Sequence, residues 1–212
     1  MAQTAIELRP RLHNRVELER RARLLAHVGN GWHLIEFAIA LGAGIAAGSV
    51  ALTSFAGDSL VEVLAASVIV WLFTAGRGAS SHAERRAQQL VAASYVLLVA
   101  YIVSHAVYDL AVSARPSVSW VGIGLAAFTA PTMPLLARAK RKVGRELNSA
   151  ATVSEAEQNQ ICAYLSLALL AGLLLNALAG WWWADPGAGL VIAAVALHEA
   201  RESWRGDSCD CC

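Results

Sequence analysis

Charged residues are scarce in this sequence. Asp, Glu, Lys and Arg make up 16% of the 212 residues, whereas about 25% is usual for a soluble globular domain. Hydrophobic residues make up 57%, and the mean hydropathy is +0.48. This composition predicts one membrane domain with little soluble mass. The net charge of +1 gives no reason to expect an acidic partner, so we expect no nucleic-acid partner.

Cysteine is also scarce. One of the four cysteines, Cys162, lies in an apolar run, and the others are the tail residues Cys209, Cys211 and Cys212. Three thiols at the extreme end do not make a disulfide framework. No apolar stretch follows the first residues, so we expect no signal peptide. Residues 1–30 are instead polar and basic, and Val16–Leu25 can form an amphipathic helix on a membrane surface.

Six apolar runs are candidate membrane-spanning helices. They cover about residues 31–53, 57–75, 90–112, 118–136, 154–178 and 185–198. About 20 apolar residues cross a hydrocarbon core of roughly 30 Å. We therefore predict an all-α membrane protein with six transmembrane helices. The predicted divisions are a basic cytoplasmic arm (1–30), a transport domain (31–204) and a cytoplasmic tail (205–212). We expect Pro131 and Pro134 to kink or end the fourth helix before a basic loop at 138–145.

The basic residues predict the orientation of these helices. Six spans place both termini on one side of the membrane, and that side then holds 16 of the 17 Lys and Arg residues. Only Arg115, between the third and fourth spans, lies on the other side. Cytoplasmic loops carry an excess of Lys and Arg, so both termini are predicted to be cytoplasmic.

Two carboxylates, Asp58 and Glu62, lie one helical turn apart in the second apolar run. On insertion scales such a group costs about 2.5–3.5 kcal/mol at the centre of a membrane helix. The pair can be explained by an arginine partner or by capping of a neighbouring helix. Because no Lys or Arg lies inside a predicted span, the sequence favours a metal or proton site.

The fifth predicted helix carries a second polar face. Glu155, Gln158, Asn159 and Cys162 recur at steps of three and four residues, so they share one side of a helix. A thiolate is a soft ligand that suits zinc, cadmium or copper(I). Cys162 taken alone is better explained as a small buried hydrophobe. The acid and amide groups on the same face favour a site.

Several motifs in register resemble the cation diffusion facilitator family. Ala47-Gly-Ser-Val-Ala-Leu52 followed by Asp58-Ser-Leu-Val-Glu62 is similar to the small-residue run and the second-helix acids of that family. Ser149-Ala-Ala-Thr-Val-Ser-Glu155, with Gln158 and Cys162 after it, resembles the approach to the fifth-helix ligands, and Trp183-Ala-Asp185-Pro186 the entry to the sixth helix. The resemblance covers about residues 30–200.

The resemblance implies a proton-coupled exporter rather than an enzyme. It implies zinc as the leading substrate, with cadmium or cobalt behind it, protons as the coupling ion, no permanent cofactor and a homodimer. The family typically has Asp and Asp in the second helix and His and Asp in the fifth. The matching residues here are Asp58, Glu62, Gln158 and Cys162, and Glu155 falls on a preceding acid of the family. We expect a short bacterial inner-membrane member without the usual cytoplasmic C-terminal domain.

Other polar residues are weaker candidates. His33 and Glu36, one turn apart on the first helix, are candidates for completing the site or relaying protons, although a packed or interfacial pair also explains them. The tail thiols of Cys209, Cys211 and Cys212 are candidates for capturing thiophilic metal, although a disordered tail explains them equally well. His105 and Asp109 are a weaker candidate for an exit site, because an interfacial hydrogen bond explains them better. His198, Glu199 and Glu202 are best explained as a solvated helix end.

Two other functional classes remain open. A metal sensor or assembly partner with the same fold would bind the ion without transporting it. A membrane thiol oxidoreductase would use Cys162 and the tail cysteines, but the predicted topology places that tail in the reducing cytoplasm. Metal flux in proteoliposomes separates these classes from a transporter.

Overall fold

The computed structural model describes residues 2–74, 81–147 and 150–205 of the protein, and within these ranges the chain is helical with no strand. The described helices are α1 (Ala2–Ala47), α2 (Val50–Thr74), α3 (Ser81–Val112), α4 (Trp120–Leu147), α5 (Ala150–Ala179) and α6 (Ala184–Arg205). The all-α prediction is confirmed. Helix α1 continues through residue 30, so the expected boundary between arm and first span does not coincide with a helix end.

The turn between α1 and α2 falls at Gly48 and Ser49, so the predicted break between residues 53 and 57 is wrong. Gly48 has a φ of 63°, a left-handed conformation that glycine adopts readily at a helix end. Ser49 then acts as the N-cap of α2, since its Oγ accepts a hydrogen bond from the amide of Leu52 at 3.1 Å. Asp58 and Glu62 consequently lie well inside α2.

Helix α4 does not end at its prolines. Pro131 and Pro134 lie inside a helix that continues to Leu147, so the basic stretch at 138–145 is helical and not the loop that the sequence suggested. A proline removes one backbone donor, and close packing against neighbouring helices compensates for such losses in membrane proteins. Helix α4 packs along α5 and against α1. One result is that Lys140 is carried into the packed interior, where it is only 3% exposed.

The helices pack mainly as α4 on α5, α3 on α6 and α1 on α2. Small residues allow close approach, as at Gly172, where an added Cβ would lie 2.7 Å from the Cβ of Ala188 on α6. Three helical segments of the described residues are long and apolar enough to cross a membrane: Gln89–Val112, Trp120–Leu147 and Glu155–Ala179. Large apolar side chains such as Leu97 and Val107 are exposed on the outside of the bundle.

Candidate metal centre

Three helices bring a histidine, a carboxylate and a thiol together in the interior of the bundle. His33 comes from α1, Glu62 from α2 and Cys162 from α5, and all three are buried. Each offers one ligand atom, and the three atoms lie within 4.8 Å of one another. Nitrogen, carboxylate oxygen and thiolate sulfur are the donors found in zinc sites. The three groups therefore form a candidate metal centre.

The imidazole of His33 faces two carboxylates with the same nitrogen. Its Nδ1 lies 3.1 Å from Oε2 of Glu36 and 2.9 Å from Oε2 of Glu62. One ring nitrogen carries at most one proton, so it cannot serve both acceptors fully. Oε2 of Glu62 is in fact left without a satisfactory hydrogen bond within the described part of the chain. A buried carboxylate oxygen in this position favours an additional cation.

Glu36 is held more completely than Glu62. Its Oε1 accepts a hydrogen bond from the hydroxyl of Thr129 on α4 at 2.5 Å. Its Oε2 accepts from Ser59 on α2 at 3.4 Å, and the thiol of Cys162 donates to the same oxygen at 3.9 Å. Because Glu36 is fully buried and contacts α2, α4 and α5, it orients the site from α1.

The site contains more acid than base. Glu36, Asp58, Glu62 and the Cys162 thiol are all buried, and His33 is the basic side chain that contacts this group in the described structure. Carboxylates are rarely buried without a partner, because desolvation of the charge is costly. The cluster therefore needs bound protons or a cation to balance its charge. Either a divalent metal ion or bound protons would supply this positive charge.

The remaining predicted ligands lie outside the three-atom cluster. Asp58 is buried on α2, one turn before Glu62. The amide of Gln158 donates a hydrogen bond to the hydroxyl of Tyr95 on α3 at 3.1 Å. The sequence thus placed Glu62 and Cys162 in one site, and the structure brings these two together with His33. Asp58 and Gln158 as ligands stay predictions.

Glu155 lies in a different contact. Its Oε2 is 3.2 Å from Nζ of Lys140, whose side chain is 4% exposed. The sequence predicted that no Lys or Arg lies inside a span, and this prediction is wrong for Lys140. Helix α4 continues beyond residue 136, so Lys140 lies within this helix and is buried. Glu155 compensates a buried ammonium group in this arrangement, and this contact does not involve the centre formed by His33, Glu62 and Cys162.

The weaker candidates are spread around the bundle. His105 is exposed and its ring lies 4.7 Å from that of Tyr101, while Asp109 is partly buried one turn later. His198 and Glu202 form an exposed pair at 3.1 Å on the last turns of α6. Cys209, Cys211 and Cys212 lie outside the described residues, so their proposed role in metal capture stays a prediction.

Two partners of the site, Thr129 on α4 and Tyr95 on α3, were not recognised in the sequence. Neither residue belongs to a polar pattern that the sequence singles out, so nothing in its immediate sequence context indicates a polar contact. Asn159 was indicated by its position on the polar face of α5, and its amide lies 3.1 Å from Nε2 of His33. Helix periodicity places a residue on a face, but it does not identify the helix opposite.

No family model matches the chain. Among curated proteins, the chain is similar to transmembrane protein 163 of Xenopus laevis, with 24% identity over 145 residues. The matched region is 68% of this chain and 52% of the relative, so the chain spans about half the length of that protein. Together with the long apolar helices, the similarity supports the character of a membrane protein.

Proposed function

We propose that the protein is a secondary active transporter that exports a divalent transition metal from the cytoplasm in exchange for protons. The observation that carries this proposal is the buried cluster of His33, Glu62 and Cys162 in a chain of long apolar helices. Ionisable groups inside a membrane domain are costly, and they commonly mark an ion or proton pathway.

The donor set favours a transition metal. Imidazole nitrogen and thiolate sulfur suit zinc and softer ions, whereas magnesium and calcium prefer sites built from oxygen alone. Zinc is the leading substrate, followed by cadmium and cobalt. Asp58, one turn from Glu62, is proposed to join the site or to accept protons during transport.

Metal and protons would compete for the same groups. A thiol, a carboxylic acid and an imidazolium must each lose a proton before they bind a metal ion. Loading from the cytoplasm would therefore release protons, and protons entering from the other side would help to displace the metal. Relative movement of α1, α2 and α5 would expose the site alternately to the two sides.

The proposed setting is the bacterial inner membrane, with six spans, cytoplasmic termini and a homodimeric assembly. Single cysteines at Arg115, between α3 and α4, and at Arg145, in the last turn of α4, test the orientation in a protein whose tail cysteines are replaced by serine. Arg115→Cys should react with a membrane-impermeant maleimide in intact cells, and Arg145→Cys should react only after the cells are opened. The reverse pattern would contradict the proposed orientation.

Purified protein in proteoliposomes tests transport directly. A pH gradient should drive zinc flux in the wild type, and Glu62→Gln and Asp58→Ala should abolish it. Glu202→Gln changes an exposed carboxylate and serves as the control. Normal flux in Glu62→Gln and Cys162→Ala would contradict the proposed site. Tight zinc binding without flux in the wild type would favour a metal sensor instead.

A further inference from the structure

Asn159 touches the candidate metal centre from the side opposite the carboxylates. It lies on α5, one turn before Cys162, and its side chain is 2% exposed. Its Nδ2 is 3.1 Å from Nε2 of His33 and 3.3 Å from Sδ of Met133. The same imidazole therefore presents Nδ1 to Glu36 and Glu62 and Nε2 to this amide.

The amide oxygen of Asn159 has no hydrogen-bond partner within residues 2–74, 81–147 and 150–205, although it is buried. Buried side-chain oxygens are nearly always hydrogen-bonded, so each exception calls for a physical reason. This oxygen belongs to the same amide whose NH₂ group lies 3.1 Å from Nε2 of His33. A half-turn of the amide would exchange the two positions.

The two orientations of the amide suit the two neutral tautomers of His33. With a proton on Nδ1, that nitrogen donates to a carboxylate and Nε2 accepts from Nδ2–H of Asn159, as the distances in the structure allow. With a metal ion on Nδ1, the ring carries its proton on Nε2 and needs an acceptor there. The Nδ1 proton leaves to solvent and Nε2 takes one up, so the ring stays neutral. The oxygen of Asn159 then becomes that acceptor.

We propose that Asn159 is the positioning residue of the metal centre. Its amide holds Nε2 of His33 and presents Nδ1 to the ion, together with Glu62 and Cys162. This inference rests on the proposed function. It adds which ring nitrogen of His33 binds the metal ion and which side chain orients the ring. Histidines that bind metal usually donate their second N–H to such a partner, and loss of the partner lowers metal affinity by about 10- to 100-fold.

Zinc and cobalt(II) titrations of the purified full-length protein test the proposal. Asn159→Leu removes both the donor and the acceptor at nearly unchanged size, and its zinc affinity should fall by about 10- to 100-fold. Asn159→Asp keeps an acceptor for Nε2–H and should retain affinity. Asn176→Leu is the matched control, because it makes the same change at another buried asparagine of α5, whose amide donates to the backbone carbonyl of Pro116. Wild-type affinity in a folded Asn159→Leu protein would overturn the inference.

A second readout does not depend on how well Asn159→Leu folds. Nitrogen-15 NMR distinguishes the two ring nitrogens of a histidine, and His33→Gln identifies the signals of His33. In the zinc-bound wild type, His33 should be protonated at Nε2 and bound through Nδ1. A proton on Nδ1 would overturn the inference. If the wild type binds zinc through Nδ1 of His33 but does not transport it, only the transport proposal is contradicted. If it binds neither zinc nor cobalt(II), both the transport proposal and the role of Asn159 are contradicted.

Discussion

Lys140 on α4 and Glu155 on α5 form an ion pair inside the bundle, with Nζ 3.2 Å from Oε2. The ammonium group is almost completely buried, whereas a quarter of the Glu155 side chain is exposed. A carboxylate in this position neutralises a buried cation and joins the two helices. Glu155 and Glu62 appear equivalent in the sequence, because each is a carboxylate on the polar face of an apolar helix. In the structure, Glu155 pairs with Lys140, whereas Glu62 lies in the metal centre.

Glu155→Gln should therefore lower stability and leave zinc affinity unchanged. Removing one partner of a buried ion pair costs about 3–5 kcal/mol, because the other charge is left uncompensated. Lys140→Met should cost less, since the remaining Glu155 carboxylate is partly hydrated. Thermal unfolding in detergent and zinc titration provide the two measurements. Glu157→Gln, an exposed change on the same helix, is the control. Loss of zinc binding in a folded Glu155→Gln protein would instead identify Glu155 as a ligand.

Cys162→Ser should change metal preference more than stability. The substitution keeps a small side chain at a fully buried position but replaces the soft sulfur by oxygen. Cadmium affinity is expected to fall about tenfold further than zinc affinity, which corresponds to ~1.4 kcal/mol. Competition titrations with both ions measure the difference. Equal losses for the two ions would show that the thiol does not set the preference.

The sequence identifies the helices well because their apolar runs are long and their polar faces repeat with helical spacing. It predicts Glu62 and Cys162 as one site, since both belong to polar faces inside apolar helices. It names His33 and Glu36 as candidates to complete the site, but it does not say which of the two joins Glu62 and Cys162, because that depends on how α1 lies against α2 and α5. Two of the predicted helix boundaries are wrong. The α1–α2 turn is set by the left-handed Gly48, and close packing carries α4 past its prolines.

Asp185 on α6 joins the start of α2 to the rest of the bundle, and its removal should lower stability. Its Oδ1 accepts a hydrogen bond from Ser49 Oγ at 2.5 Å, and its Oδ2 accepts one from the amide of Ala51 at 3.3 Å. Hydrogen bonds to a charged group contribute about 1.5–3 kcal/mol each when buried. Asp185→Ala removes two such bonds and should therefore reduce the free energy of unfolding by about 3–6 kcal/mol.

A double-mutant cycle with Ser49→Ala tests whether this loss arises from the contact itself. The two changes share one hydrogen bond, so their effects on unfolding should be non-additive by about 0.5–3 kcal/mol. Asp185→Asn keeps the shape and should be intermediate. Additive effects of Asp185→Ala and Ser49→Ala would mean that the hydrogen bond between them does not contribute to stability.

Glu199 should make stability depend on pH near neutrality. It follows His198, the end of the sixth predicted span, so it lies beyond the predicted membrane-spanning segment. Burial and the negative charge of Glu202 raise the pKa of Glu199 from 4.5 to about 7, although His198 acts in the opposite direction. The folded protein then binds a proton that the unfolded chain has already lost. Its stability should fall as pH rises from about 5 to about 7.

Glu199→Gln removes this titration, so its melting temperature should vary less across that pH window than that of the wild type. Glu202→Gln should shift the window to lower pH, since it removes one of the charges that raise the pKa of Glu199. Glu157→Gln should behave like the wild type, because it changes an exposed carboxylate on α5. If Glu199→Gln retained the full wild-type dependence on pH, the titrating group would have to be sought among the other carboxylates.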